Sequence, residues 1–317
     1  MSPKRYRVLI ALLLLTILCG CGEYKKRPLR LGMNIWPGYE CLFLAQELGY
    51  FEEEGVDVQI FDFTSLEDNM KAFSRGDLDL MTGTMIEYML AQEQGAKDAK
   101  VVRVFDYSNG GDVILGKNLK GVADLKGKNV GLEVRSLNIF LLKRALEKVG
   151  LQLSDVNMLD IAQMSMAEQL TKGNIHASVT YPPASIEMMA LDGVSQLFSS
   201  RDLPGEVVDV LVAHGSVLTK RRADIQKILR AYNRAMETMF KEPNRCYRIM
   251  AKREGISPEE FKAIIEAELV LLNSKDQIKY SVAGGPMELI FDSVKKALVE
   301  IGAVSQDKVK LQIDLIQ

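Results

Sequence analysis

The sequence predicts an α/β protein of two lobes, each built around a mostly parallel sheet. Three observations carry this prediction. Residues 29–62 read as a complete strand–helix–strand unit. Residues 128–150 repeat the same grammar. The length of 317 residues suits about two domains, and lobes of that size can each bury a core.

In the opening unit, Leu29–Ile35 is an apolar strand and Trp36–Glu40 a polar loop, with Pro37-Gly38 marking the turn. Cys41–Leu48 follows as a helix, since Leu42, Leu44, Ala45 and Leu48 fall at helical spacing. Val56, Val58 and Ile60 alternate as a strand over Val56–Phe61, and Gly49 and Gly55 punctuate the exit from the helix. Ligands of open α/β sheets sit beyond the carboxyl ends of strands. That makes Trp36, Tyr39 and Glu40 candidate contacts. Core packing is the rival reading for Trp36, the only tryptophan; its place beside a Pro-Gly turn at a strand end favours the pocket.

Ser65–Ser74 is a short helix capped by Thr64 or Ser65, stopped at Gly76, with a strand from Leu78. Thr82 and Thr84 close that strand and open a helix over Met85–Gln94, either as ligand hydroxyls or simply as caps. Val101–Tyr107 and Val113–Gly116 are strands around Ser108-Asn109-Gly110-Gly111-Asp112. Two glycines there permit close backbone approach to a ligand, so Ser108 and Asp112 are candidates; turn formation is the alternative for Ser108 and Asn109.

Lys128–Val134 is the second-half strand, Arg135–Asn138 its loop and Ile139–Val149 its helix. Thr171–His176 echoes Ser74–Asp79, each passing from helix through a basic residue and glycine into a strand. Ser136 and Asn138 stand at a helix start, where free N–H groups favour an anion or a carbonyl. Glu40, Asp112 and Glu133 occupy neighbouring loop positions, however, and carboxylates oppose a bound anion. The acidic set suits an amine, an amidine or a protonated ring nitrogen, on which Trp36 and Tyr39 can stack. Ala177–Tyr181 is a further strand ending at Tyr181-Pro182-Pro183. Asp209 leads the strand Val208–Val212, either reaching the cleft or serving a turn. The remainder reads as helical: Arg221–Lys241 with an apolar face, a capping box at Ser257-Pro258-Glu259-Glu260, and Met287–Ile301 after Gly284-Gly285-Pro286.

Composition is that of an ordinary globular chain, 47% hydrophobic and 26% charged with net charge −2, and no basic stripe points to nucleic acid. The cysteines lack metal-ligand spacing, two histidines are too few for a His-based centre, and Cys41 and Cys246 read as small core residues rather than a disulfide. No metal or cofactor is expected. Lys4, Arg5 and Arg7 precede the apolar run Val8–Leu18, too short for a comfortable membrane span. Leu18-Cys19-Gly20-Cys21-Gly22 resembles the lipobox of bacterial lipoproteins. That resemblance implies a signal peptide over 1–20, a lipid-modified Cys21 and a polar tether over 21–28.

The order of segments carries a second resemblance. Trp36-x-Gly38, then Leu42-x-Leu44-Ala45-x-Glu47-x-Gly49-Tyr50-Phe51, then Gly55-Val56-Asp57-Val58, resembles the nitrate/sulfonate/taurine class of solute-binding proteins, which includes binders of thiamine-pyrimidine precursors. Arg75-Gly76-x-Leu78-Asp79, Asp106-x-Ser108-x-Gly110-x-Asp112 and Tyr181-x-Pro183 match in order, and the likeness covers nearly all of the chain after Cys21. It implies a periplasmic-binding-protein-like fold of type II: lobe 1 from 29–115 and 207–317, lobe 2 from 116–206, with a hinge between. It also implies a small-molecule solute in the interlobe cleft, Tyr181 facing it from lobe 2, and delivery to an ABC permease and its ATPase from a lipid-anchored monomer in the cell envelope. Two alternatives stay open: a ligand sensor signalling to a membrane partner, and an enzyme like the pyrimidine synthases that share the fold. An enzyme is the less expected, since no cysteine-rich segment or histidine cluster resembles theirs. Sulfonate, taurine or nitrate remains the rival to a nitrogenous ligand.

Overall fold

A computed structural model describes residues 26–316. The expected leader, Cys21 and the start of the tether lie outside the described residues. Among those described, no helix is long and apolar enough to cross a membrane.

The chain lays down β1 (Leu29–Asn34), β2 (Val58–Phe63), β3 (Leu80–Thr84) and β4 (Lys100–Ser108). It then crosses to build β5 (Val113–Lys117), β6 (Asn129–Leu132), β7 (Asn157–Asp160), β8 (Ala177–Thr180) and β9 (Val194–Ser199). It returns as β10 (Val208–Ala213) and β11 (Leu269–Leu271). One sheet has six strands in the order β11-β4-β10-β3-β1-β2, the other five in the order β7-β6-β8-β5-β9. Leu29, Leu31 and Met33 of β1 are fully buried, as a strand covered on both faces should be. β2 lies at an edge and exposes Gln59 and Asp62.

The sheets are mixed rather than mostly parallel, which corrects the expectation. β1 pairs parallel with β2 and β3, and β6 with β7 and β8. The returning β10 inserts antiparallel between β3 and β4, and β5 lies antiparallel between β8 and β9. A helical crossover announces a parallel neighbour in the local sequence; a strand arriving from the other lobe carries no such mark. β5 also belongs to the second sheet, so the crossing lies ahead of Val113 rather than at residue 115.

The tail is mostly helical; β11 pairs with β4 and is too short to show an alternating pattern, and after the last helix Ile313 bridges in parallel to Val101 of β4. The helix Gly215–Lys241, broken in φ/ψ at Arg221, buries Ile225, Ile228, Leu229, Tyr232, Met236 and Met239. Cys41 and Cys246 are free and buried, with Cys41 Sγ 3.9 Å from Met239 Sδ. The helix Pro286–Glu300 reaches the second lobe, where Lys143 Nζ lies 2.8 Å from Glu300 and Arg144 Nη2 donates to Ser293 Oγ at 2.8 Å. The tether's end is tied to the sheet as well: Arg27 Nη2 donates to Asp79 Oδ1 at 2.7 Å, and Arg30 N of β1 donates to its Oδ2 at 2.9 Å. Burial opposes ionisation of Asp79, but these donors hold its carboxyl well below the usual range.

Candidate functional site

Where the two sheets' edges meet, Asn34, Trp36, Tyr39, Leu66, Thr84, Asp112, Leu137, Tyr181 and Asp209 line a small cavity. In this closed arrangement it has room for about one water molecule. Its polar and aromatic walls come from strand ends. Asn34 closes β1, Thr84 closes β3 and Tyr181 follows β8. Asp209 stands near the start of β10, and because β10 is antiparallel to β3, its beginning lies at the same sheet edge as its neighbour's end. Trp36 and Tyr39 occupy the turn after β1, and Asp112 the crossing between lobes.

The aromatic wall spans the cleft. Trp36 and Tyr181 stand nearly perpendicular, ring centroids 6.2 Å apart and planes at 83°, a favoured edge-to-face arrangement. Two glycines make room for the indole. A Cβ on Gly38 would come within 2.0 Å of Asp106 Oδ2 and 2.7 Å of Trp36 Nε1; one on Gly111 would come within 2.7 Å of Trp36 Cη2.

The electrostatics are acidic. Among the described residues lining the cavity there is no lysine or arginine. Asp106 and Asp209 face each other in register across β4 and β10. Trp36 Nε1 donates to Asp106 Oδ1 at 3.4 Å, and the Tyr39 hydroxyl donates to Asp209 Oδ1. The remaining oxygen of each has no hydrogen-bond partner among the described residues. Burial raises both acids, Asp106 to about 7 and Asp209 well above the carboxylate range. Asp112, 2% exposed, lines the cavity with a carboxyl that makes no hydrogen bond of ordinary geometry with another described residue. Burial, reinforced by Glu87 and Glu268, pushes it to about 7, although the Ser108 hydroxyl opposes this. Glu133 is pushed to about 8 by burial and then by Glu87, against the nearby Gln163 and Leu66 N–H groups, and neither of its oxygens has a hydrogen-bond partner of ordinary geometry among the described residues.

The structure brings Trp36, Tyr39, Thr84, Asp112 and Tyr181 together around the cavity. Thr84 is also the cap of the helix Met85–Glu93, its hydroxyl accepting from Ile86 N at 3.0 Å. Other candidates are corrected. Glu40 is fully buried away from the cavity, ion-paired with Arg253 and raised to about 7 by burial, which the Arg253 charge opposes. Thr82 is buried but lies outside the lining; its carbonyl accepts from Asn69 Nδ2 at 2.8 Å. Ser108 holds the crossing instead: its hydroxyl meets Ser200 Oγ at 2.7 Å and accepts from Asp112 N at 3.2 Å, the turn role left open above.

At the helix start of Ser136 and Asn138, the N–H groups of Leu137 and Asn138 are already taken, by Glu87 and by the Ser136 hydroxyl. Ser136 caps the helix Leu137–Glu147, its Oγ accepting from Asn138 N at 3.1 Å and donating to Glu133 O at 2.9 Å. Asn138 Oδ1 accepts from Glu133 N at 3.2 Å and Gln163 Nε2 at 2.9 Å, leaving only Nδ2 without a partner. These two and Glu133 form a layer behind the lining. Asn34, Leu66 and Leu137 were not anticipated. Nor was Asp106, outside the family motif it shares with Asp112; its alignment with Asp209 depends on pairing between distant strands.

Residues 36–246 match the family described as NMT1/THI5 like. A protein of Brucella abortus (strain 2308) named as a binding protein is 24% identical over 308 residues, covering 93% of this chain and 95% of its own length. The 4-amino-5-hydroxymethyl-2-methylpyrimidine phosphate synthase of Schizosaccharomyces pombe is 26% identical over 234 residues, covering 67% of this chain and 66% of its own. Among solved structures, the alkanesulfonate-binding protein of Xanthomonas axonopodis pv. citri bound to MOPS superposes with a TM-score of 0.76 at 18% identity, over 90% of this chain and 96% of that one. This last likeness is one of fold: two lobes, two mixed sheets, the periplasmic-binding-protein architecture.

Proposed function

The chain belongs to the NMT1/THI5-like family, and from that premise we propose that it is the solute receptor of an ABC importer, taking a small, planar, nitrogen-bearing cation into the cleft between its lobes. The cavity carries this reading. Asp112 and Asp209 line it with no lysine or arginine beside them, while Trp36, Tyr39 and Tyr181 supply aromatic faces. A cation entering there relieves the cost of burying carboxylates and gains about 0.5–2 kcal/mol from a ring face. An alkanesulfonate, the ligand class named for the Xanthomonas protein, would bring a further negative charge to an acidic wall. An aminopyrimidine, suggested by the name of the Schizosaccharomyces relative, matches the chemistry of both the rings and the acids, and the lobes must part further to take it in.

The lobes close by hinge motion about the crossings at 109–112 and 200–207, and the closed form presents itself to a permease and its ATPase. We place the protein as a monomer held to the membrane through a lipid on Cys21. Mass spectrometry of small molecules released from the natively purified protein, followed by calorimetry with the compound found, tests the proposal. A nitrogenous cation supports it and a sulfonate overturns it. Turnover of the bound compound would establish the enzyme reading instead.

A further inference from the structure

Glu87 is 1% exposed and accepts three hydrogen bonds. Two come from its own lobe, from Thr84 N at 2.9 Å and Thr84 Oγ1 at 2.5 Å. The third comes from the other lobe, from Leu137 N at 2.7 Å. Thr84 and Leu137 both line the cavity. Thr84 caps the helix Met85–Glu93 and Leu137 begins the helix Leu137–Glu147. One carboxylate is thus held at the starts of two helices, one from each lobe. Every group contacting it is a donor, which is how a carboxylate is satisfied; burial raises its pKa, and the bonds from Thr84 and Leu137 oppose that rise. Helix starts favour negative charge through free N–H groups and the helix dipole, so this is where an anionic solute bridging the lobes would be stabilised. The chain fills that place with its own side chain. A second, independent observation fixes what is left for a ligand: the Asp112 carboxyl, 2% exposed, lines the remaining space and accepts no hydrogen bond of ordinary geometry from another described residue.

We propose that Glu87 is a specificity-determining residue that acts as a built-in anion, occupying the anion seat between the lobes so that the cleft closes without an anionic ligand and rejects anionic solutes. This rests on the reading of the cleft as the solute site. An anion entering the closed cleft would have to displace Glu87 from all three donors, or lie against it uncompensated. A cation needs neither, and meets the Asp112 carboxyl on the cavity wall.

The test uses Glu87→Ala, which vacates the seat, and Glu87→Gln, which keeps it filled with a neutral group. Formate is the probe. The thermal midpoint of the Glu87→Ala protein is expected to rise by roughly 2–4 °C in excess formate over the same concentration of chloride, with no such difference for wild type or Glu87→Gln. Should Glu87→Ala fold only in formate, recovery of folded protein there and not in chloride is the same positive result. No formate-specific gain in Glu87→Ala, or an equal gain in all three proteins, overturns the proposal. So does calorimetric binding of methanesulfonate by wild type; its absence there supports the assignment. If formate rescues Glu87→Ala while wild type binds no nitrogenous cation, the ligand class of the preceding section fails and the role of Glu87 stands.

Discussion

Trp36 of the first lobe and Tyr181 of the second stand edge to face across the cleft, 6.2 Å between ring centroids. Each is anchored in its own lobe, so the contact exists only when the lobes are closed. A planar cation admitted between them exchanges this contact for stacking on one or both rings. Trp36→Ala should weaken binding by about 2- to 30-fold, the range that 0.5–2 kcal/mol of ring–cation attraction represents. Calorimetry with the ligand recovered from the native protein measures this. Unchanged affinity would remove the indole from the site.

Asp112 separates function from stability. A buried carboxyl without ordinary partners is costly to keep, so Asp112→Ala should leave the unliganded protein as stable as wild type or slightly more so, while binding falls at least tenfold. Denaturant unfolding and calorimetry on the same preparations decide it. Loss of stability by several kcal/mol with affinity intact would make Asp112 a structural residue.

The acids also fix the pH response. Asp106 and Asp112 are raised to about 7 and Glu133 to about 8, all chiefly by burial, against about 4 in an unfolded chain. Between those limits the folded state holds more protons than the unfolded one, so these groups make stability fall as pH rises from about 4 through 8. Asp79 works in the opposite sense. Its folded carboxyl is depressed by Arg27 and Arg30 despite burial, so its contribution is lost as pH drops below about 4. Thermal unfolding of the free protein should therefore peak in mildly acid solution. Binding a cation ionises the acids and releases protons, so affinity should climb by up to about tenfold per pH unit between 6 and 8. Calorimetry in buffers of differing ionisation enthalpy reads the released protons directly, and a pH-independent affinity would count against the cationic ligand.

The legible part of the site lay at punctuated strand ends. Trp36 and Tyr39 stand at a Pro-Gly turn, Asp112 follows a pair of glycines and Tyr181 precedes two prolines, and local chain chemistry marks such places. The illegible part depends on distant strands meeting. Nothing near Asp106 signals that Asp209 pairs beside it, because β10 arrives from the other lobe. Glu87 was hidden differently. Thr84-x-x-Glu87 satisfies the capping-box pattern, and that local role conceals the third hydrogen bond, to Leu137. Glu40 erred the other way: its loop position pointed to the cleft, but the Arg253 that claims it lies on a far helix.

Gly111 tests the packing behind the aromatic wall. The Cβ of an alanine would stand 2.7 Å from Trp36 Cη2 and 3.4 Å from the Glu268 carbonyl oxygen. The indole must move, because the backbone behind it is fixed by Gly111 N donating to Glu268 O at 3.1 Å. Gly111→Ala should cost about 1–3 kcal/mol of stability, the usual range for overpacking, and weaken binding as Trp36→Ala does. Wild-type affinity in this variant would show that the position of Trp36 is not critical.

Two of the interlobe contacts, one exposed and one buried, differ in kind, and salt should tell them apart. Arg135 Nε reaches across to Glu67 Oε1 at 2.6 Å, but its side chain is 59% exposed. An exposed pair contributes about 0.2–1 kcal/mol, so Arg135→Ala should speed ligand release by no more than about fivefold. Half-molar salt screens charges beyond about 4–5 Å and weakens the exposed pair, so the difference between variant and wild type should shrink there. The Glu87–Leu137 bond is buried with its donors, beyond the reach of counterions. Most of the closing strength should therefore survive high salt. Stopped-flow release at low and high ionic strength measures both. A wild-type release rate that rises more than tenfold with salt would mean that exposed charges, rather than the buried carboxylate, hold the lobes together.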